Sequence, residues 1–347
     1  MENKKTIALT GGSTGGHIFP LLSLYNYLKE TGDYNFVWVG EEGSLEEEIA
    51  EKNRIPFRDI SAGKIRRYFD LRNFYEPLKN LTGIFEGIWY IYKYKIDIVF
   101  SKGGYVSLPL SIAARLMGKK LYIHESDTVS GISNKIVERL ATKVFYTFPN
   151  EKIDGNKYIL SGQIINPELI DYIETLYPRE NKKLTVIVTG GSQGSTVIFE
   201  SLLKVLGDLK DVCFHIVLGE KNMHFRDRFK EYSNTIVHDF ITQKRLGKIL
   251  KDIDMAITRG GATTLWELYY FGIHSIIIPL KGSAGDHQKY NAMYFNEKFG
   301  SEIIDEDSNI SEEILVKLTK YKDLRKAGLN LKNILKPLGI IKEEIEK

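Results

Sequence analysis

KTIALTGGSTGGHIFP, residues 5–20, is an apolar run that stops on paired glycines and leads into a helical pattern. A glycine turn between a strand and a helix leaves backbone N–H groups unpaired at the helix start, and these form a site for an anion. The turn does not fit Gly-x-Gly-x-x-Gly, so the dinucleotide fingerprint fails. It nearly fits a P-loop, with Gly11 and Gly16 correctly spaced, but His17 and Ile18 stand where lysine and serine or threonine belong. The expectation is an anion site without a fixed cation. His17 stands at its mouth, and imidazole titrates close enough to neutrality to serve as a general base.

Further along, KLTVIVTGGSQGSTVIFESLL (residues 183–203) repeats the same order of strand, turn and helix. Thr10 to Ser13 and Thr189 to Ser192 spell one tetrapeptide. Around the first copy, NFVWVG, IDIVFSKGG and KLYIHES read as buried parallel strands. Helical patterns fall at about Phe19 to Lys29 and about Leu108 to Met117. After the second copy come FHIVLG, TIVHDF, DMAITRGG and HSIIIPL, each trailed by a helical pattern. Such alternation predicts an α/β chain of two Rossmann-like domains with parallel sheets. The domains are placed at residues 1–162 and 163–335, with ligands in the cleft between them. A terminal helix at 336–347, entered through the break that Pro337 imposes, is expected to pack back on the first domain.

The 347 residues suit two domains, and a formal net charge of +3 gives no electrostatic case for nucleic acid. The single cysteine, Cys213, excludes an internal disulfide and points to a reducing cytoplasm. No run approaches the roughly 20 apolar residues that cross a bilayer.

Chemistry concentrates in three further stretches. TGGSQGS puts Ser192, Gln193 and Gly194 at a second helix start, suited to the phosphates of a nucleotide sugar. TRGGATTLWE opens a helix with Ala262, Thr263 and Thr264. Glu267 follows one turn in, where a carboxylate can accept from both hydroxyls of a ribose. GDHQKYNA supplies Gln288, which can donate and accept toward sugar hydroxyls. The His287–Asp286 pair has no third ligand at useful spacing, so no metal is expected. Residues 63–95 interleave Lys64, Arg66, Arg67, Arg72, Lys79, Lys93 and Lys95 with Phe69, Phe74, Phe85 and Trp89, a composition suited to an anionic membrane surface.

Taken in order, GGSTGGHIFP, SKGGYVSLP, HESD, GGSQGS, TRGGATTLWE and DHQKYNA resemble the MurG family of glycosyltransferases over nearly the whole chain. The resemblance implies a GT-B fold and an inverting transfer of N-acetylglucosamine from UDP-N-acetylglucosamine to undecaprenyl-diphospho-MurNAc-pentapeptide (lipid I), without a cofactor or obligate metal. It implies a peripheral protein at the cytoplasmic face of the membrane. Carried over by position, Thr14, Gly15 and Gly16 face the acceptor diphosphate and donor sugar, and His17 is the base. Ser192, Gln193 and Gly194 meet the UDP phosphates. Ile241 lies where uracil is read through the backbone, Ala262, Thr263 and Thr264 line the donor site, Glu267 holds ribose and Gln288 contacts the sugar.

The chain departs from the family pattern at SGQIINPE, where Asn166 stands at the position of an arginine that meets the UDP phosphates. Arg259 and Lys281 are the cations expected to compensate. Two alternatives stay open on sequence alone. One is a transferase for another nucleotide sugar or lipid acceptor; the other is a non-catalytic membrane-bound scaffold.

Overall fold

The computed structural model describes residues 4–12, 15–64, 76–166, 168–169, 183–191, 194–239, 241–322 and 336–347. Contacts divide the chain into two units, Met1–Ile164 with Leu335–Lys347, and Ile165–Ile334.

The first unit is built on a seven-stranded sheet in the order β3-β2-β1-β4-β5-β6-β7, every neighbouring pair parallel. Its strands are β1 (Thr6–Gly11), β2 (Asn35–Gly40), β3 (Phe57–Asp59), β4 (Ile98–Gly103), β5 (Lys120–Glu125), β6 (Lys143–Tyr146) and β7 (Tyr158–Leu160). Helices α1 (Gly15–Thr31), α2 (Leu45–Lys52), α3 (Glu76–Lys93), α4 (Ser107–Leu116) and α5 (Ile132–Leu140) follow strands in turn. Both faces of the sheet are covered, which is why the central strands read as continuous apolar runs. Ile7, Leu9 and Phe100 pack with Leu21 and Leu24 of α1 and Ile49 of α2. Ala8, Val37 and Val99 face the other way, onto Ile91 of α3, Leu110 of α4 and Val137 of α5.

The helix Lys336–Glu346 closes the first of these faces: Leu338, Ile341 and Ile345 are at most 2% exposed and belong to the α1 cluster. Each such burial contributes roughly 2 kcal/mol. Pro337 lies in the first turn of this helix, where its missing N–H has no intrahelical partner to lose. The Tyr122 hydroxyl donates to the Glu344 carbonyl at 2.8 Å and the Lys5 ammonium to the Ile345 carbonyl at 2.9 Å.

α1 begins at Gly15, earlier than the Phe19 of the pattern, and accommodates Pro20 inside the helix. Gly15, Gly16 and His17 therefore form its first turn.

The second unit holds a six-stranded parallel sheet in the order β10-β9-β8-β11-β12-β13. Its strands are β8 (Thr185–Thr189), β9 (Cys213–Val217), β10 (Thr235–His238), β11 (Met255–Thr258), β12 (His274–Ile277) and β13 (Glu302–Ile303). Val186, Val188, Phe214, Ile257 and Ile276 form its core with Ile198, Phe199 and Leu202 of the helix Thr196–Leu203. β8 and β11 are neighbours, so the two glycine turns that follow them leave the same end of the sheet side by side.

Candidate active site

In the first unit, β1 ends where β4 carries a bulge. Thr10 pairs with Ser101 and Gly11 with Gly103, so Lys102 is an extra residue without a partner in the register. A bulge re-aims its side chain. Close approach explains Gly11: a Cβ there would stand 2.8 Å from the Lys102 Cβ. Gly12 is pressed on its other side by Glu46, a fully buried residue of α2 whose Oε1 accepts from the Glu41 amide at 2.8 Å. Burial pushes this carboxyl up to about 7.

His17 Nδ1 lies 3.1 Å from the Gly12 carbonyl. A carbonyl can only accept, so Nδ1 carries a proton, and in the neutral ring the lone pair is on Nε2. The turn that positions the imidazole thereby fixes the tautomer a base needs. Gly15 and Gly16 stand beside it in the first turn of α1. Thr14 lies outside the described residues.

Lys102 is 1% exposed, and its ammonium donates to the Ser126 hydroxyl just past β5. Ser126 donates in turn to Gln163 Oε1 at 3.0 Å, which also accepts from the Thr147 hydroxyl at 2.9 Å. Burial pushes the ammonium down to about 8 against the opposing pull of Glu125 and Asp127. The HESD stretch is otherwise turned inward. His124 Nε2 donates to the Gly162 carbonyl at 2.9 Å, and burial together with Lys102 holds that imidazole well below its usual range. Glu125 accepts from the Asn134 side chain at 2.8 Å and the Asp127 amide at 3.0 Å, while burial and Asp127 push it up. None of these residues was singled out for a role from sequence, although SKGG and HESD were recognisable motifs.

In the second unit, the Thr189 hydroxyl accepts from the Gly191 amide at 3.1 Å, and Ser195 caps the helix Thr196–Leu203. Gly194 lies in the turn between them; Ser192 and Gln193 fall outside the described residues. Ile241 follows β10 at the same end of the sheet and precedes Thr242, the N-cap of the helix Gln243–Leu250.

The turn after β11 is held from beneath by the helix His287–Phe299. Gln288 Oε1 accepts from the Gly260 amide at 3.2 Å and the Leu280 amide at 3.0 Å. Asn291, fully buried, donates to the Gly260 carbonyl at 2.9 Å. A Cβ on Gly260 would stand 2.3 Å from the Gln288 carbonyl oxygen, so only glycine fits this clamp. Gln288 was expected both to donate and to accept toward a sugar. The structure commits its oxygen to the protein, and among the described residues its amide nitrogen has no partner. Asn291 was missed, since nothing in the order of residues shows that it grips a turn 31 positions upstream.

Ala262, Thr263 and Thr264 form the first turn of the helix Ala262–Tyr270, with Gly261 as N-cap. Glu267 has no hydrogen-bond partner among the described residues. Its side chain keeps an exposed edge, yet burial pushes its carboxyl up to about 8. Thus the Gly260 turn that opens this helix is brought together with Gln288, and Glu267 lies one turn further along the same helix.

The two compensating cations are otherwise engaged. Arg259 is 8% exposed, 2.7 Å from Glu306 and bonded to the Ile278 carbonyl at 3.1 Å. Lys281 pairs with Asp307 on the surface. Asn166 Oδ1 caps its own chain, accepting from the Glu168 amide at 2.9 Å.

Elsewhere in the first unit, α3 exposes Leu78 (64%), Leu81 (51%), Phe85 (65%), Trp89 (52%) and Tyr92 (77%) along one face. Their spacing of three or four residues makes a single stripe. Lys93 Nζ sits 4.1 Å from the Trp89 ring centre. Ile91 is buried in the core, whereas Ile84 and Ile88 are only half-buried. Residues 65–75, with Arg66, Arg67, Phe69, Arg72 and Phe74, lie outside the described residues.

The Glycosyltransferase family 28 N-terminal domain matches residues 7–146, and the Glycosyltransferase family 28 C-terminal domain matches residues 185–333. A Clostridium kluyveri protein named UDP-N-acetylglucosamine–N-acetylmuramyl-(pentapeptide) pyrophosphoryl-undecaprenol N-acetylglucosamine transferase is 35% identical over 93% of this chain and 92% of its own length. Its Clostridium perfringens namesake is 36% identical over 93% and 91%. The chain belongs to the MurG family. The crystal structure of Acinetobacter baumannii MurG superposes with a TM-score of 0.76 at 23% identity, covering 99% of this chain and all of that one. The MurG architecture of two Rossmann-like domains, the GT-B fold, is thus the architecture here. A Neisseria meningitidis UDP-GlcNAc 2-epimerase solved with UDP-GlcNAc shares the fold at a TM-score of 0.65 and 14% identity, with 99% of each chain covered.

Proposed function

We propose that this chain is the transferase its MurG relatives are named for, moving N-acetylglucosamine from UDP-N-acetylglucosamine to the 4-hydroxyl of the MurNAc sugar in lipid I. The observation that carries the residue assignment is the His17–Gly12 contact. It holds the imidazole, with Gly15 and Gly16, in the first turn of a helix whose N–H groups suit the acceptor diphosphate.

In this reading Nε2 of His17 takes the proton as the acceptor oxygen attacks C1 of the donor sugar. The bond from C1 to the UDP oxygen breaks, with inversion. The departing diphosphate gains negative charge, which the turn carrying Ser192, Gln193 and Gly194 offsets through backbone N–H groups. Glu267 accepts from the ribose hydroxyls, Ile241 reads uracil through its backbone, and Ala262, Thr263 and Thr264 line the donor. Gln288 approaches the sugar with its amide nitrogen.

The α3 stripe with its flanking lysines suits insertion at the headgroup level of an anionic membrane, which is where a lipid-linked acceptor is found. Among the described residues, no helix is long and apolar enough to cross a membrane.

The test is UDP release from UDP-N-acetylglucosamine with and without a short-chain lipid I analogue. Release should depend on the acceptor, and His17→Ala should lose about 10²- to 10⁴-fold in kcat while binding donor normally. Unchanged turnover in His17→Ala removes the base. Donor binding without acceptor-dependent release removes the transfer to lipid I.

A further inference from the structure

The first glycine turn lacks the lysine that phosphate-binding loops carry within their own sequence. A lysine nevertheless packs its stem against it from the neighbouring strand. Lys102 is the extra residue of the β4 bulge, its Cβ packs on Gly11, and its ammonium is sealed from solvent. We propose that Lys102 is the cation of the acceptor subsite, a positioning residue whose stem packs on Gly11 and whose buried charge, held by the Ser126 hydroxyl past β5, draws the lipid diphosphate toward the start of α1. The inference rests on the acceptor reading above and assigns the charge on which that subsite depends.

Burial outweighs the pull of the nearby carboxylates on this charge. Among the described residues the ammonium finds one hydrogen-bond acceptor, Ser126 Oγ, and it has donors to spare. The titratable groups facing it are His124, Glu125 and Asp127, all from β5 and its turn. His124 is held neutral. Glu125 has committed its oxygens to Asn134 and the Asp127 amide, and burial disfavours its charged form. Asp127 is the other carboxylate beside it. A cation left undercompensated in a low-dielectric setting is costly to the free protein and strengthens when an anion arrives.

The burial that pushes the ammonium down to about 8 makes this role readable. A raised pH removes the charge, and a bound diphosphate holds the proton on. The acceptor KM of the wild-type protein should therefore rise as pH climbs through about 8, while the donor KM does not follow it.

The experiment measures KM for a short-chain lipid I analogue and for UDP-N-acetylglucosamine, from about pH 7 to about pH 9.5, in the wild type and in Lys102→Met. The expected result is an acceptor KM raised about tenfold at pH 7, a donor KM unchanged, kcat within about twofold, and no further rise with pH in the variant. A residue that merely holds the fold would move both KM values and the melting temperature together. An acceptor KM unchanged in Lys102→Met, or a pH-dependent rise that survives the substitution, overturns the inference while leaving the transferase reading intact. Should Lys102→Met fail to melt cooperatively, the wild-type titration decides: a flat acceptor KM across the range overturns the proposal. Absence of acceptor-dependent turnover in the wild type removes both readings.

Discussion

Glu267 makes donor binding a measurable function of pH. In the free protein its carboxyl titrates at about 8, because burial penalises the charge and no donor stabilises it. To accept from two ribose hydroxyls it must be ionised, and those hydrogen bonds pull its pKa back toward the ordinary carboxylate range. The donor-bound state therefore carries fewer protons than the free state, so affinity falls by about tenfold for each pH unit below 8. Between pH 8.5 and 6.5 the loss should be about 25-fold, with close to one proton released per donor bound at pH 7. UDP-N-acetylglucosamine is the probe, since its diphosphate has no terminal phosphate to titrate in this range, and calorimetry in two buffers of different ionisation enthalpy counts the proton. Glu267→Gln should bind more weakly at pH 8.5 and lose the slope. The same substitution should stabilise the free protein. A carboxyl whose folded pKa is raised costs stability as pH rises from its unfolded value of about 4.5 through about 8. After discounting for its exposed edge, removing it is worth about 1–2 kcal/mol near neutrality. A Kd flat within about twofold over this range, or a slope that persists in Glu267→Gln, would refute the role of the carboxylate.

Two further outcomes are expected. Phe85→Glu with Trp89→Glu should abolish sedimentation with phosphatidylglycerol vesicles while leaving the melting temperature and the release of UDP with a water-soluble acceptor unchanged, because both side chains are more than half exposed; retained sedimentation would exclude α3 as the membrane contact. Glu302 accepts from Lys320 at 2.8 Å, Tyr321 at 2.6 Å and Lys317 at 3.0 Å, and these hold it down to about 2. Its depressed pKa contributes stability above about pH 4.5 that is lost as pH falls toward 2, so Glu302→Gln should cost about 1–2 kcal/mol by urea unfolding at pH 7 and progressively less below pH 4.5.

The repeated turn at Thr10–Ser13 and Thr189–Ser192 was enough to read two Rossmann-like domains, because a parallel sheet covered on both faces leaves continuous apolar runs in the chain. His17 in the first turn of its helix and Glu267 one turn inside its own were legible from the same strand–turn–helix order. What was not legible depends on contacts between distant segments. The apolar pattern of α1 starts at about Phe19, whereas the helix itself starts at Gly15 and holds Pro20 inside. Lys102 reads as one more residue of a strand until the register against β1 shows the bulge. Arg259 reads as a free cation beside the donor until Glu306, far along the chain, is found 2.7 Å away. Gln288 reads as a sugar ligand on both its atoms, and its oxygen turns out to hold the Gly260 turn.

The helix Lys336–Glu346 has a consequence for synthesis. Leu338, Ile341 and Ile345 complete a core whose other members, such as Ile7, Leu21 and Leu24, are made near the beginning. On a ribosome adding about 5–20 residues per second, that face of the first sheet waits tens of seconds for its cover while the whole second unit is translated. The second unit has its own core and can fold during the interval. The order of completion thus reverses the order of the chain: the half made first is finished last, and its bare apolar face is a natural client for a chaperone until residue 345 arrives.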